Sequence, residues 1–446
     1  MTFPINDQSP VEHNAALPPE ADAVVIGGGI IGVMTAWELA KAGLKTVLLE
    51  KGRVAGEQSS RNWGWIRAQG RDKAEIPIML EAQAMWGELD AHVGGVGLAT
   101  TGTLFMAAKD EDMAGYQDWL DLAAPYQLSS RLLSAHELAD HIPQANARWA
   151  GALYTPNDLR AEPWIAVPAL ARAAVDAGVT IIENCAVRML DIEAGKVTGV
   201  ITEMGRIKAR QVALAGGSWS SLLLRRHGVS IPQLSVRATV AATDVLPEVV
   251  SDSGVDDRIA WRRRADGGYS LAPSGFHELF VGPDAFRAAM GFLPQLIQDP
   301  LGTRYLPAAP KGFPDAWSTK RRWSATEQSP FEQMRILNPA PNARKVTKLA
   351  RDFEDTFPTV GKVKIKEAWG GMIDVMPDVV PVVDTCAALP GLTICTGMCG
   401  HGFGIGPAFG RITAKLMQGK ETGHDLSRFR LSRFSDGSKL ELGPNL

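Results

Sequence analysis

Three glycines, Gly27, Gly29 and Gly32, follow the apolar run Ala23–Ile26 at G-x-G-x-x-G spacing. At such a turn the first glycine allows a tight bend and the second lets a pyrophosphate approach the backbone. The third lets the helix pack closely on the strand. The pattern from Ile30 to Ala42 is helical and closes on Gly43. Its N-terminus would aim free N–H groups and a positive dipole end at phosphate. A second apolar run, Thr46–Leu49, ends in Glu50, which can accept hydrogen bonds from ribose hydroxyls. Together these residues predict a βαβ unit that binds a dinucleotide. An acid rather than an arginine at position 50 favours a free ribose, hence FAD or NAD over NADP.

Two further stretches bring backbone close to a ligand. Gln211–Ala215 reads as a strand, and Gly216-Gly217-Ser218-Trp219 follows it. Leu392–Cys395 reads as another strand, followed by Gly397, Gly400, Gly402, Gly404 and Gly406, then a helical run from about Ala408 to Met417. A glycine-rich turn that feeds a helix N-terminus is again an anion site. His401 lies inside that turn, where a single histidine is structural by default.

The elements that must hold these groups belong to a chain of 446 residues, long enough for two or three domains. Lys+Arg total 46 and Asp+Glu 49, a net charge of −3, which argues against an electrostatic nucleic-acid binder. Hydrophobic residues at 45 % and charged residues at 21 % are ordinary globular values. Glycine stands out, with 45 residues where average composition gives about 31. The 4 cysteines form no C-x-x-C pair, so neither a disulfide scaffold nor a metal site is expected. Their scarcity fits a reducing, cytoplasmic compartment. Met1–Glu20 lacks the basic start and apolar core of a signal peptide and reads as a loose leader. No uninterrupted apolar run is long enough to predict a transmembrane segment.

After Glu50 the chain runs KGRVAGEQSSRNWGWIRAQGRD, a long polar stretch punctuated by glycine. With it, four blocks resemble the D-amino-acid oxidase/glycine oxidase/sarcosine oxidase superfamily of FAD-dependent amine oxidoreductases. They are VVIGGGIIGVMTAWELAKAGLKTVLLEKG with its SSRNWG loop, ARQVALAGGSWSSLLL, EAWGGMIDVMPDVVPVVD and GLTICTGMCGHGFGIGPAFGRITAKLMQG. They occur in the family's order and span residues 21–420. The resemblance implies an α/β and α+β fold, a Rossmann-like FAD-binding domain with an antiparallel-sheet substrate domain. The FAD domain would take residues 21–93, 157–228 and 375–430. The substrate domain would take 94–156 and 229–374, with an insertion at about 285–342. That insertion reads as helical packing, a partner surface or a lid. Arg262-Arg263-Arg264 and Lys320-Arg321-Arg322 read as solvated surface.

The same resemblance assigns FAD contacts to Gly27, Gly29, Ile30, Ile31 and Gly32 at the turn, and to Glu50 and Lys51 beyond it. Ser59, Ser60, Arg61, Asn62, Trp63 and Gly64 follow along the loop. Val187 would back the adenine, and Ala215, Gly216, Trp219 and Met372 would flank the cofactor. Gly400, His401, Gly402, Phe403 and Gly404 would meet the flavin N1–C2=O edge, where a helix dipole favours the reduced state. Sarcosine oxidases tether flavin through a cysteine whose matching position here is Gly371. FAD is therefore expected to be non-covalent.

Members of this superfamily oxidise a C–N bond. Hydride passes from Cα to flavin N5, and the resulting imine hydrolyses to keto acid and amine. That step needs the substrate held by its carboxylate, best by an arginine fork. Arg67 matches the substrate-carboxylate arginine of sarcosine oxidases. Trp63 and Trp65 would wall the pocket, with core packing an equal reading for Trp65. The arginine that glycine and D-amino-acid oxidases carry after the Trp369 motif is missing. Asp374 stands nearby, either to meet a cationic amine or to cap a turn. Phe280 matches the lysine linked to oxygen reactivity. With that lysine absent, dioxygen need not be the acceptor, and a respiratory or quinone carrier is the alternative to it. Two other readings stay open. One is an FAD-bearing subunit of an opine- or hydroxyproline-type dehydrogenase complex, within a homo- or hetero-oligomer. The other is a 2-hydroxy-acid dehydrogenase with a base near N5.

Overall fold

Ala23–Ile26 and Thr46–Leu49 are buried along their whole length and pair in parallel, the behaviour of strands covered on both faces. The computed structural model describes residues 3–146, 149–298 and 302–443. In chain order, the elements that position the site begin with β1 (Glu20–Ile26), α1 (Ile30–Lys41), β2 (Thr46–Leu49), α2 (Ile76–Val93), α3 (Pro163–Asp176) and β3 (Thr180–Ile182). They continue with β4 (Arg206–Leu214), β5 (Leu234–Thr243), α4 (Pro283–Gln298), β6 (Ile365–Val375), β7 (Leu392–Thr396) and α5 (Gly402–Met417).

A parallel sheet runs β3-β2-β1-β4-β7 and is extended by antiparallel neighbours to 8 strands. A sheet of 10 strands is built around the long antiparallel pair β5–β6, in register at Val236↔Ile373 and Val240↔Trp369. The first sheet draws its strands from residues 20–49, 180–214 and 382–396. The second draws on 103–155 and 234–375.

Helix α5 starts at Gly402, six residues before the expected start, because its glycines serve helix packing rather than a loop. A Cβ on Gly406 would sit 2.7 Å from Ile30, and one on Gly410 would sit 2.4 Å from Met34, both on α1. Each internal glycine costs a helix about 1 kcal/mol relative to alanine. Here that cost is offset by letting α1 and α5 approach closely, so that both helices start at the same cavity.

The segment read as a loose leader is pinned at several points between Phe3 and His13. Phe3 stacks on Trp164 at 4.6 Å between ring centroids and meets Trp369 edge-on. The Ile5 carbonyl accepts from Arg61, and the Ser9 carbonyl from Arg53. Glu183 accepts from the Glu12 and His13 amides. The triple arginine also departs from the solvated reading. Arg262 is 1 % exposed, forking onto Glu162 at 2.8 and 3.0 Å, and Arg264 is buried as well. In the insertion, α4 turns Ala288 and Phe292 inward and leaves Phe286, Met290, Leu293 and Ile297 exposed. Among the described residues, no helix is long and apolar enough to cross a membrane.

Candidate active site

One continuous cleft runs from the Gly27 turn to the face of the antiparallel sheet. It encloses about 2020 Å³ including its open mouth. The glycine turn at one end is fixed by contact. Gly27 has φ +109°, and a Cβ there would lie 2.4 Å from the Ala215 carbonyl. A Cβ on Gly32 would lie 1.9 Å from the Gly27 carbonyl, so α1 can seat on β1 only as glycine. The α1 N-terminus has no cap from its own Gly29; Ser59 Oγ accepts from the Ile30 amide instead, at 3.0 Å. Glu50 accepts from the Gly28 and Gly52 amides, each at 2.7 Å, one on each carboxylate oxygen. Burial pushes Glu50 up to about 7, against the pull of Lys51 and the two amides. Gly27, Gly29, Ile30, Ile31, Glu50, Lys51, Ser59, Arg61, Asn62 and Trp63 all line the cleft. So do Val187, Ala215, Gly216 and Trp219.

Arg61 is a tie rather than a free cation. It donates to Asn338, to the carbonyls of Ile5, Gly56 and Gly370, and carries Asn62 beside it. Gly371 borders the cleft next to it.

The far end of the cleft is aromatic and cationic. Trp63 and Trp65 meet at 5.0 Å in a T-shape, Val240 belongs to the same apolar cluster, and Phe276 also lines the cleft. Arg67 lies over the Phe105 ring at 5.1 Å and donates to the Gln69 carbonyl. Burial pushes the Arg67 guanidinium down to about 9, still protonated at neutral pH. Arg71, 3 % exposed, also lines the cleft; its Nε donates to the Arg67 carbonyl, while Nη1 has no partner within the protein. Trp65 Nε1 and Gln69 Nε2 are buried donors in the same condition. Two acids balance the arginines. Glu75 is fully buried, with His401 Nδ1 at 3.3 Å. Burial opposes its charge, yet His401, Arg71 and Arg67 outweigh it and hold Glu75 below the usual carboxylate range. Asp158 accepts from the Ala68 amide at 2.7 Å, and burial pushes it up to about 6. Burial and Arg71 together lower His401 to about 4, so the ring is neutral at physiological pH.

Asp374 borders the cleft but is already engaged. Its Oδ2 accepts from the Gly397 amide at 2.7 Å and from Gln233 at 3.1 Å, and its carbonyl accepts from the Cys399 amide. Burial raises its pKa despite the Gly397 amide. It thus ties β6 to the turn that starts α5, where Gly397, Cys399 and Gly400 all have positive φ. Asp374→Ala is expected to strand these donors at about 1–3 kcal/mol, and the protein should purify with reduced FAD content. Asp374→Asn keeps an acceptor oxygen and should retain FAD. Equal flavin-to-protein ratios in both variants would contradict this role.

Gly400, His401, Gly402 and Phe403 line the cleft at the α5 N-terminus. Gly404 does not; a Cβ there would press on the Trp65 carbonyl, and its own carbonyl takes the Trp86 indole N–H. Gly32, Ser60, Gly64 and Met372 likewise stand behind the wall. Ser60 is fully buried, Gly64 abuts the Ala161 carbonyl, and the Met372 carbonyl accepts from Ser218. Phe280 is buried under Arg237, away from the cleft. Arg71, Glu75, Gln69 and Asp158 were not expected. The Arg71–Glu75 spacing was the one available signal. Among the described residues, no group of three or more His, Cys, Asp or Glu is placed to hold a metal ion.

A parallel sheet with a glycine turn, a ribose-ready acid and a second helix aimed at the same cleft define a dinucleotide-dependent flavoprotein oxidoreductase. The chain belongs to the DAO family of FAD-dependent oxidoreductases, whose model matches residues 22–416. FAD fits the cleft's glycine cradle and the Glu50 carboxylate beside it. Similar chains include mitochondrial sarcosine dehydrogenase of Mus musculus, 30 % identical over 279 residues, or 59 % of this chain. That match spans only 30 % of the relative's own length. N-methyl-L-tryptophan oxidase of Citrobacter koseri is 25 % identical over 93 % of this chain and 99 % of its own. The solved structure of an L-amino acid deaminase from Proteus myxofaciens in complex with anthranilate superposes with a TM-score of 0.90. It is 31 % identical and covers 96 % of both chains.

Proposed function

We propose that this chain oxidises the C–N bond of an L-amino acid, or its N-methyl derivative, with an apolar or aromatic side chain. The observation that carries this reading is the set of buried donors without partners, Arg71 Nη1 and Trp65 Nε1 with Gln69 Nε2 behind them, at the aromatic end of the cleft. Buried donors are rarely left unpaired, and a guanidinium fork matches a carboxylate. Similarity to the Proteus deaminase and to N-methyl-L-tryptophan oxidase supports an amino-acid substrate.

FAD, when bound, supplies the acceptor for the hydride that leaves Cα. The chain's own residues do the rest. Arg67 and Arg71 hold the substrate carboxylate, fixing which bond faces the cofactor. Their charge also disfavours the ammonium form nearby, and oxidation requires the neutral amine. Glu75 and Asp158 keep the site from accumulating unbalanced positive charge. Trp63, Trp65, Val240 and Phe276 exclude water and receive the side chain. Neutral His401 sets a polar, uncharged group at the α5 N-terminus. The imine that leaves would hydrolyse to a keto acid.

Turnover by the FAD-loaded protein tests the reading, run in air and again with a quinone analogue as acceptor. Keto acid and ammonia should appear from apolar amino acids, or keto acid and methylamine from N-methyl forms. Turnover of 2-hydroxy acids alone would overturn it, and dependence on the quinone would identify a dehydrogenase.

Glu50 adds a pH signature. Ribose hydroxyls would donate to its ionised form, so FAD selects the deprotonated carboxylate. FAD affinity should therefore rise as pH climbs through about 7. The FAD-free protein should lose stability over the same climb, since its folded state holds a proton the unfolded chain releases nearer 4.5. Titrating apoprotein with FAD across pH checks this, and Glu50→Gln should flatten the profile.

A further inference from the structure

The insertion returns to the cleft at its inner end. Residues 330–338 cross the loop that follows Glu50, and the contact is dense. A Cβ on Gly52 would lie 2.3 Å from the Arg335 carbonyl, and one on Gly56 would lie 3.0 Å from Ile336. Lys51 donates to the Met334 and Arg335 carbonyls at 3.1 and 2.8 Å, with its ammonium 4.4 Å above the Trp219 ring. Glu57 closes the knot. One oxygen accepts from Lys51 at 2.6 Å, from Trp219 Nε1 at 3.0 Å and from the Leu337 amide at 2.9 Å. On the outer side, Arg335 forks onto Glu203 and Arg188 forks onto Glu332. Phe331, buried edge-to-face against Trp219 at 5.7 Å, is the arm's side chain in the cleft wall.

Lys51, Val187, Trp219 and Phe331 border the end of the cleft that Glu50 marks as the ribose end. The arm places Phe331 in the wall of that end and is tied to the loop after Glu50 through Lys51 and Glu57. We propose that residues 330–338 are a latch over the adenosine half of FAD, and that opening this arm sets how fast FAD leaves. Phe331 and Trp219 would offer the adenine an aromatic wall. Glu57 is a positioning residue that holds the arm shut through Lys51 and the Leu337 amide. The inference rests on the cleft being the FAD site and assigns the arm a role in holding that cofactor.

FAD release from the holoprotein tests it, followed as flavin fluorescence after dilution, together with the melting temperatures of holo and apo forms. Phe331→Ala should speed release by about tenfold to hundredfold, the range for losing one aromatic–base stack, and Glu57→Gln, which removes the charge that holds Lys51, should also speed it severalfold. The holo–apo melting gap should shrink, because ligand binding stabilises in proportion to affinity. The visible spectrum of the flavin that remains should not change, since the latch would hold the adenosine half only. Release at the parent rate in both variants would overturn the latch. Equal melting losses in holo and apo forms would overturn it too, reducing the arm to packing. If either variant fails to fold, Arg188→Lys loosens the arm from outside the cleft, since lysine cannot fork onto Glu332. The same readings then decide. A parent protein that binds no FAD would instead refute the cleft assignment itself.

Discussion

Arg67→Ala and Arg71→Ala will each lower kcat/KM for carboxylated substrates by about a hundredfold or more, the loss expected when one member of a buried charge pair is removed. The change should fall mainly on KM, because the carboxylate is bound in the ground state as well as in the transition state. FAD content should stay at parent level, since neither arginine lies near the glycine turn. Arg71 is the sharper test. Arg67 already donates to Gln69 and lies over Phe105, whereas Arg71 Nη1 has no partner of its own. Lysine should rescue either variant poorly, because a point charge does not reproduce a planar fork. Steady-state kinetics on an amino acid and on its decarboxylated amine separates the roles. The amine should be insensitive to both substitutions. Unchanged KM for the amino acid would remove these arginines from the substrate site.

Gly32→Ala should yield a protein largely without FAD and destabilised by about 3 kcal/mol or more, at the upper end for overpacking. The added Cβ would stand 1.9 Å from the Gly27 carbonyl, and backbone cannot rotate aside as a side chain can. Helix α1 would have to lift from β1, carrying its N-terminus away from the pyrophosphate. Gly43→Ala is the control. Gly43 has φ +85° and nothing within 4 Å of a Cβ, so only backbone strain of about 1–2 kcal/mol remains. Flavin-to-protein ratio and thermal melting check both. A Gly32→Ala protein with full FAD occupancy would contradict the packing argument.

These two experiments fall on opposite sides of what the sequence made legible. The βαβ unit was readable because its evidence is local: glycine spacing, a buried β-branched run and an acid at the strand end. Glu50 accordingly stands at the glycine turn. The glycines of the last block were harder to read. Close approach to a ligand and close approach to a helix leave the same residue type, so Gly404 and Gly406 read as loop although they pack against Trp65, Ile66 and Ile30. The substrate end was only partly visible. RAQGRDKAE has the composition of a solvated turn, and burial of Arg71 and Glu75 depends on α5 and on Asp158 arriving from distant sequence. The N-terminal segment misled for a similar reason. Besides the Phe3 ring, its anchors are backbone groups, the Ile5 and Ser9 carbonyls and the Glu12 and His13 amides, which composition does not reveal. The arginine triplet at 262–264 reads as surface until Glu162 is seen to meet it.

The account's central claim is that a carboxylate-clamped amino acid delivers its Cα hydride to FAD in this cleft. Mixing the FAD-loaded protein with substrates in the absence of oxygen, and following the flavin's visible absorbance, tests it most directly. Apolar amino acids or their N-methyl forms should bleach the flavin, and the Arg71→Ala protein should need far higher concentrations for the same bleaching. Bleaching by 2-hydroxy acids with none from amino acids would contradict the claim.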